Sequence, residues 1–263
     1  MTSEPAQGSK LEATESLGAP QASEELPKMS LLDHLEELRN RIVRSLIGVS
    51  VAFVGCWTGR DLITEFLSRP IYKVLPEGTK LAFLGVTDPF ILYVKVSALA
   101  ALFLASPYVF YQAWRFVAPG LYSREKLHAL PFALAGAFFF VGGGAFAYYV
   151  AFPFAIEFLI EMGAAFQPVI TVERYFRFLL YVILGLGLMF QLPVVIFLLA
   201  KLGIVTPRFL MRHFRWAVLL IFVVAAFVTP TPDVINLCLF ALPTIALYLL
   251  GVGAAALVLR NKQ

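Results

Sequence analysis

The sequence predicts an all-α polytopic membrane protein of six transmembrane helices, several of them kinked by proline, with both termini in the cytoplasm. Three observations predict it. Hydrophobic residues fill 60% of the 263 positions and charged residues only 14%, against about 25% charged in an average soluble domain. A bilayer accommodates that much apolar side chain where water does not. The apolar residues gather into six stretches separated by polar ones. The basic residues also sort by loop: 13 Lys or Arg flank one set of span ends and six the other. Under the positive-inside rule the richer set is cytoplasmic, and an even number of spans brings both termini to that side.

Residues 1–28 are polar, carry Glu4, Glu12, Glu15, Glu24 and Glu25, and read as a disordered extension without a cleavable signal sequence. A single transmembrane domain follows over 29–258, with a tail at 259–263. Residues 29–44 have helical periodicity. Leu31, Leu35, Leu38 and Ile42 share a face, Ser30 and Asp33 stand at capping-box spacing, and Glu37 precedes Arg41 by four, the order that favours a helix ion pair. An uncharged run continues from Ser45, which places span one at 42–59 with Arg44 snorkelling at its edge. The loop at 60–88 has room for a short surface helix over 61–67, stopped before Pro70. Span two is 90–113, with Lys95 a turn or so inside and Ser106-Pro107 predicting a kink. Span three, 129–149, contains Gly142, Gly143 and Gly144, which permit close helix packing or a bend. A half-polar loop at 151–174 leads to span four, 176–199, with Gln191 and Pro193 deep inside it. A basic connector at 201–215, span five at 216–229, a tight turn ending at Asp233 and span six at 234–256 complete the chain. Pro153 and Pro243 are further expected bends, and Asp233 stands where the last span needs an N-terminal acceptor.

Composition also excludes. There is no zinc-ligand spacing and no dense basic helix for nucleic acid. Cys56 and Cys238 both sit in apolar segments and read as small hydrophobes, not as metal ligands or a disulfide. No Gly-rich phosphate loop with its Lys is present, nor an intramembrane Ser/His, paired-Asp or His-rich metal set. The expectation is therefore no cofactor, no metal and no enzymatic activity. A small secondary transporter shares the kinked helices and midplane polar group. It is weakened by a membrane inventory of little beyond Lys95 and Gln191, and by the lack of paired broken helices in two similar halves. That transporter, and a scaffold that holds partner helices without reading a signal, are the alternatives.

Five motifs carry a family resemblance: His34-Leu35-Glu36-Glu37-Leu38-Arg39-Asn40-Arg41; Asp88-Pro89-Phe90; Ser106-Pro107 through Tyr111-Gln112-Ala113-Trp114 to Phe116, Ala118-Pro119-Gly120-Leu121-Tyr122 and Glu125; Phe190-Gln191-Leu192-Pro193; and Thr229-Pro230-Thr231-Pro232-Asp233. In that order they resemble TatC, the multispanning subunit of the twin-arginine protein translocase, over residues 28–258. The resemblance implies a receptor in the bacterial inner membrane. It would bind twin-arginine signal peptides of folded cargo and organise single-span TatA-type and TatB-type partners, with self-association, for export driven by the proton-motive force. It implies recognition acids at Glu37 and Glu125, with Phe116, Pro119, Leu121 and Tyr122 shaping the first cytoplasmic loop around them. The chemistry suits the task, because a carboxylate accepts a guanidinium through two parallel hydrogen bonds. Each acid also has a local alternative, Glu37 pairing with Arg41 and Glu125 with a neighbouring base. The family usually carries Glu where this chain has Gln191. Gln hydrogen-bonds but holds no charge and exchanges no proton, so a partner or cargo contact and a plain helix–helix bond both remain open. Structural roles are expected for Asp233 as a cap and for Pro107 and Pro193 as kinks, and a hydrogen-bonded surface role for His34.

Overall fold

Prolines, and what takes the carbonyls they leave free, decide how these helices run. The computed structural model describes residues 31–75, 81–117, 129–166, 169–229 and 233–260. Its helices are α1 (Leu31–Thr58), α2 (Arg60–Tyr72), α3 (Asp88–Val117), α4 (Ala129–Phe146), α5 (Phe152–Met162), α6 (Val172–Met189), α7 (Leu192–Lys201), α8 (Pro207–Arg212), α9 (Phe214–Val228) and α10 (Val234–Arg260). Within α3, Pro107 has no N–H for the carbonyl of Phe103, and the Ser106 hydroxyl donates to that carbonyl instead (2.7 Å).

The surface helix after α1 is longer than predicted. It does not stop before Pro70 but carries that proline inside it. The Phe66 carbonyl that Pro70 leaves unpaired accepts from the Tyr148 hydroxyl, and the next carbonyl, Leu67, accepts from the Tyr175 hydroxyl at 2.9 Å. Both tyrosines come from other helices, so tertiary partners offset the proline's local cost.

Span three also runs further than 129–149. The half-polar stretch expected as a loop continues as helix: a π-turn over Ala147–Ala151 joins α4 to α5, whose first turn holds Pro153. The wider π-turn resets the hydrogen-bond ladder just before the proline that would have broken it. Glu157 and Glu161 then sit on exposed positions of α5 rather than in a loop.

The number of spans is corrected. Five helical segments are long and apolar enough to cross a bilayer, not six: His34–Thr58, Asp88–Val117, Leu130–Met162, Val172–Lys201 and Val234–Leu257. The segment expected as span five folds as α9, apolar but only 15 residues long. At 1.5 Å per residue such a helix reaches about 22 Å, short of a hydrocarbon core of about 30 Å. The inference that both termini share a side rested on an even count and falls with it. The terminal residues 1–30 and 261–263 lie outside the described residues.

Packing orders the helices α1 on α3, α3 on α4, α4 on α6, and α10 against α7 and α9. The core is built where they cross, from Trp114, Phe152, Leu179, Leu186 and Phe240, all fully buried. Two of the three consecutive glycines fit tight crossings. A Cβ on Gly143 would lie 2.7 Å from the Leu186 backbone carbonyl, and one on Gly144 would strike the Phe103 ring, whereas Gly142 faces open space.

Candidate functional site

Polar side chains collect at two places: the joined ends of α1 and α3, and the break between α6 and α7. α1 and α3 run antiparallel. Four contacts give their register: His34 with Phe116, Arg41 with Gln112, Gly48 with Tyr108 and Trp57 with Phe90. Positions 34, 41 and 48 fall two turns apart along one seam of α1, the spacing a packed helix pair needs.

At the end of that seam, Arg41 Nη2 donates to Glu37 Oε1 at 2.9 Å, the pair that their i,i+4 spacing predicts. Arg41 Nη1 donates to Gln112 Oε1 at 3.3 Å. The Glu37 and Arg41 side chains are 18% and 14% exposed, and Gln112 only 4%. Arg41 thus bridges an acid at the rim to an amide in the packing. Among the described residues Glu37 Oε2 accepts no hydrogen bond, so the carboxylate keeps one edge for a second donor. His34 is exposed, as expected, but makes no hydrogen bond among the described residues; it stacks on Phe116, ring centroids 4.4 Å apart and tilted 21°. Arg39 and Arg44 are exposed nearby, and Arg115 lies over the Tyr111 ring. Glu37 and Phe116 therefore share one end of one helix pair. Glu125, Pro119, Leu121 and Tyr122 lie outside the described residues.

The second place is a break in the fourth span. α6 ends at Met189, Gln191 precedes α7, and Pro193 sits in the first turn of α7. The Gln191 N–H bonds to Leu188 O (3.0 Å), a tightened turn that lets the chain restart ahead of the proline. The Gln191 side chain, 9% exposed, donates from Nε2 to the Gly136 carbonyl on α4 at 3.2 Å. Its Oε1 is buried and has no partner among the described residues. Nearby, Pro193, Trp114 and Lys201 line a cavity of about 230 Å³, with the Lys201 ammonium 5.5 Å from the Trp114 ring centroid. Gln191 and Glu37 belong to different helix pairs, and no contact joins them among the described residues.

Asp233 stands at the start of α10. Its Oδ1 accepts from the Asn236 backbone N–H at 2.6 Å and its Oδ2 from the Asn236 side-chain amide at 2.9 Å. Sequence reasoning missed Gln112 and Gly136 as partners. The signal for Gln112 was a lone amide in an apolar helix end; a backbone carbonyl such as that of Gly136 leaves none.

In sequence and fold the chain is similar to known proteins. The family model described as Sec-independent protein translocase protein (TatC) matches residues 33–243. The TatC of Koribacter versatilis is 45% identical over 240 residues, 90% of this chain and 89% of that protein. The TatC of Campylobacter jejuni is 42% identical over 225 residues, 84% and 91% of the two chains. A crystal structure of the twin arginine translocase receptor TatC in DDM superposes with a TM-score of 0.76 at 32% identity, covering 84% of this chain and 99% of that one. The family model spans most of the chain, the relatives are more than 30% identical over nearly their whole length and the fold superposes, so the chain belongs to the TatC family.

Proposed function

We propose that this TatC-family subunit, a multi-pass membrane component of a protein translocase and not an enzyme, is the signal-peptide receptor of a bacterial twin-arginine translocase. The free edge of the Glu37 carboxylate carries the reading. Arg41 occupies one oxygen and Gln112 anchors Arg41, so the acid is held in place with its second oxygen open. A guanidinium arriving from the aqueous face would find a fixed, half-shielded acceptor, where a charge-assisted bond is stronger than in bulk water. The surrounding bases, Arg39, Arg44 and Arg115, would otherwise repel an Arg-rich ligand. In this reading Glu125 supplies the second acceptor, and Phe116, Pro119, Leu121 and Tyr122 pack the apolar part of the signal. The α1 end faces the cytoplasm, the side favoured by the basic loops. TatA-type and TatB-type single-span subunits, further copies of this chain and lipid are its partners in the inner membrane, and the proton-motive force drives export.

Photocrosslinking tests it. A photoreactive residue at Phe116 is expected to capture a twin-arginine signal peptide, and one at Phe83, beyond the opposite end of α3, is not. A Lys-Lys peptide should crosslink poorly, since ammonium groups do not reproduce the guanidinium fork. Equal capture at both positions, or of both peptides, would remove the proposal.

A further inference from the structure

Where α3 and α6 begin, two matched stripes face a common groove. The two helix starts are tied together by backbone: Ala82 N–H bonds to Ile170 O (3.2 Å) and Val172 N–H to Ala82 O (2.8 Å). Both helices leave this tie in the same direction. Lys95 lies seven residues into α3 and Arg177 five into α6, which puts both about 8–10 Å along from the starts of their helices. On α3 the groove is lined by Lys95, Ala98, Leu99 and Leu102; on α6, by Arg177, Leu180, Tyr181 and Leu184. The offsets are the same on the two helices, 0, +3, +4 and +7, with the cation at 0 in each case. Two turns of one face of each helix thus present a base at the top and an apolar stripe below it.

The groove encloses about 390 Å³, and its lining includes two cations and no carboxylate. Glu173, one turn back on α6, pairs with Arg177 from outside the lining. Lys95 is exposed. Both bases lie inside membrane-crossing helices, on the basic-poor face of the protein. The positive-inside rule gives no reason for a pair of cations there, and intramembrane bases ordinarily mark a ligand or pathway.

From this juxtaposition we infer that the α3–α6 groove is a binding site for one anionic phospholipid, its phosphate between Lys95 and Arg177 and an acyl chain along the Leu99, Leu102, Leu180 and Leu184 stripe. Charge complementarity favours this occupant over a neutral lipid. The apolar length below the cations, about 10 Å, favours a lipid over a free phosphate ion.

The full-length protein in mild detergent, analysed by native mass spectrometry, tests the site. Dioleoyl-phosphatidylglycerol and dioleoyl-phosphatidylcholine carry the same chains and differ in headgroup charge. Wild type should retain phosphatidylglycerol preferentially. Each of Lys95→Gln and Arg177→Gln should reduce that preference about five-fold, and the double variant about thirty-fold. Arg208→Gln/Arg212→Gln, which removes two bases on α8, should leave it unchanged. Excess inorganic phosphate should not displace the bound lipid. Equal retention of the two lipids by wild type would overturn the inference, as would an unchanged preference in the double variant or equal loss in the α8 control. Displacement by inorganic phosphate would show an anion site without lipid recognition, and displacement by an acidic single-span helix peptide would assign the groove to a protein partner; either result overturns it too. If the double variant fails to fold, the five-fold effect of Lys95→Gln alone decides.

Discussion

The α1–α3 end and the α6–α7 break both hold a polar side chain against another helix, yet they are built on different principles. At the α1–α3 end, charge does the holding: Glu37, Arg41 and Gln112 form a short chain from rim to interior, with an acceptor left over at the rim. At the break, packing does it. The Gln191 side chain makes one hydrogen bond among the described residues, to the Gly136 backbone carbonyl. The helices around it approach so closely that Gly143 meets the backbone of α6 and Gly251 that of Pro193. The contrast teaches where each region is vulnerable. Added volume should destabilise the break; removed charge should act at the end, where it costs peptide binding more than stability.

The largest expected effect is therefore on volume. Gly143→Leu places a side chain against the Leu186 carbonyl, a backbone atom that cannot rotate away, and should cost about 1–3 kcal/mol. Gly142→Ala, one residue earlier and facing open space, should be neutral or stabilise by up to about 1 kcal/mol. Thermal denaturation in detergent compares the two. Equal losses would show that helix propensity, not the α4–α6 approach, governs this segment.

Next comes Asp233. Both of its oxygens accept, one from the Asn236 backbone and one from its side chain. Asp233→Ala loses both bonds and should cost about 0.5–2 kcal/mol. Asp233→Asn keeps a single acceptor and should fall between wild type and Ala. The same thermal measurement checks this, and an Asn variant as damaged as Ala would argue against a capping role.

At Gln191 the expected stability change is small, about 0.6 kcal/mol for Gln191→Leu, because the Gly136 carbonyl keeps its place in the α4 ladder. Transport should nevertheless fail if Gln191 meets a partner or cargo. Gln191→Glu should retain transport, since a protonated carboxyl still offers one donor to Gly136. A Leu variant exporting at the native rate would reduce Gln191 to a packing residue.

These differences also mark how far the sequence could be read. Local features were legible: Glu37 and Arg41 are four apart and pair, and Pro193 stands in the first turn of α7, where the fourth span restarts. What Pro70 would do was not. α2 continues through Pro70 because hydroxyls from Tyr148 and Tyr175, 82 and 108 residues from their acceptors, take its carbonyls. The span count failed for a related reason. Hydropathy reports that residues 216–229 are apolar, but crossing a bilayer depends on the helical rise, and α9 is too short. At the candidate site, Glu37 and Phe116 could be named from motif alone, whereas Gln112 and Gly136 acquire roles only once α1 meets α3 and α6 meets α4.

The central claim is that Glu37, held by Arg41 with one edge free, and Glu125 accept the two arginines of a signal peptide. Glu37→Gln weakens a largely buried i,i+4 ion pair, leaves Arg41 its bond to Gln112 and should cost the fold about 1 kcal/mol. Peptide binding should respond more. A lost charge-assisted hydrogen bond of about 1.5–3 kcal/mol corresponds to roughly ten- to a hundred-fold in affinity. The decisive measurement is the affinity of labelled Arg-Arg and Lys-Lys signal peptides for purified wild type, Glu37→Gln and Glu125→Gln. The account predicts that wild type prefers the Arg-Arg peptide and that both variants, still folded, lose most of that preference. Unchanged affinity and unchanged preference in both variants would contradict it, and would leave Glu37 as the ion-pair partner of Arg41 and no more.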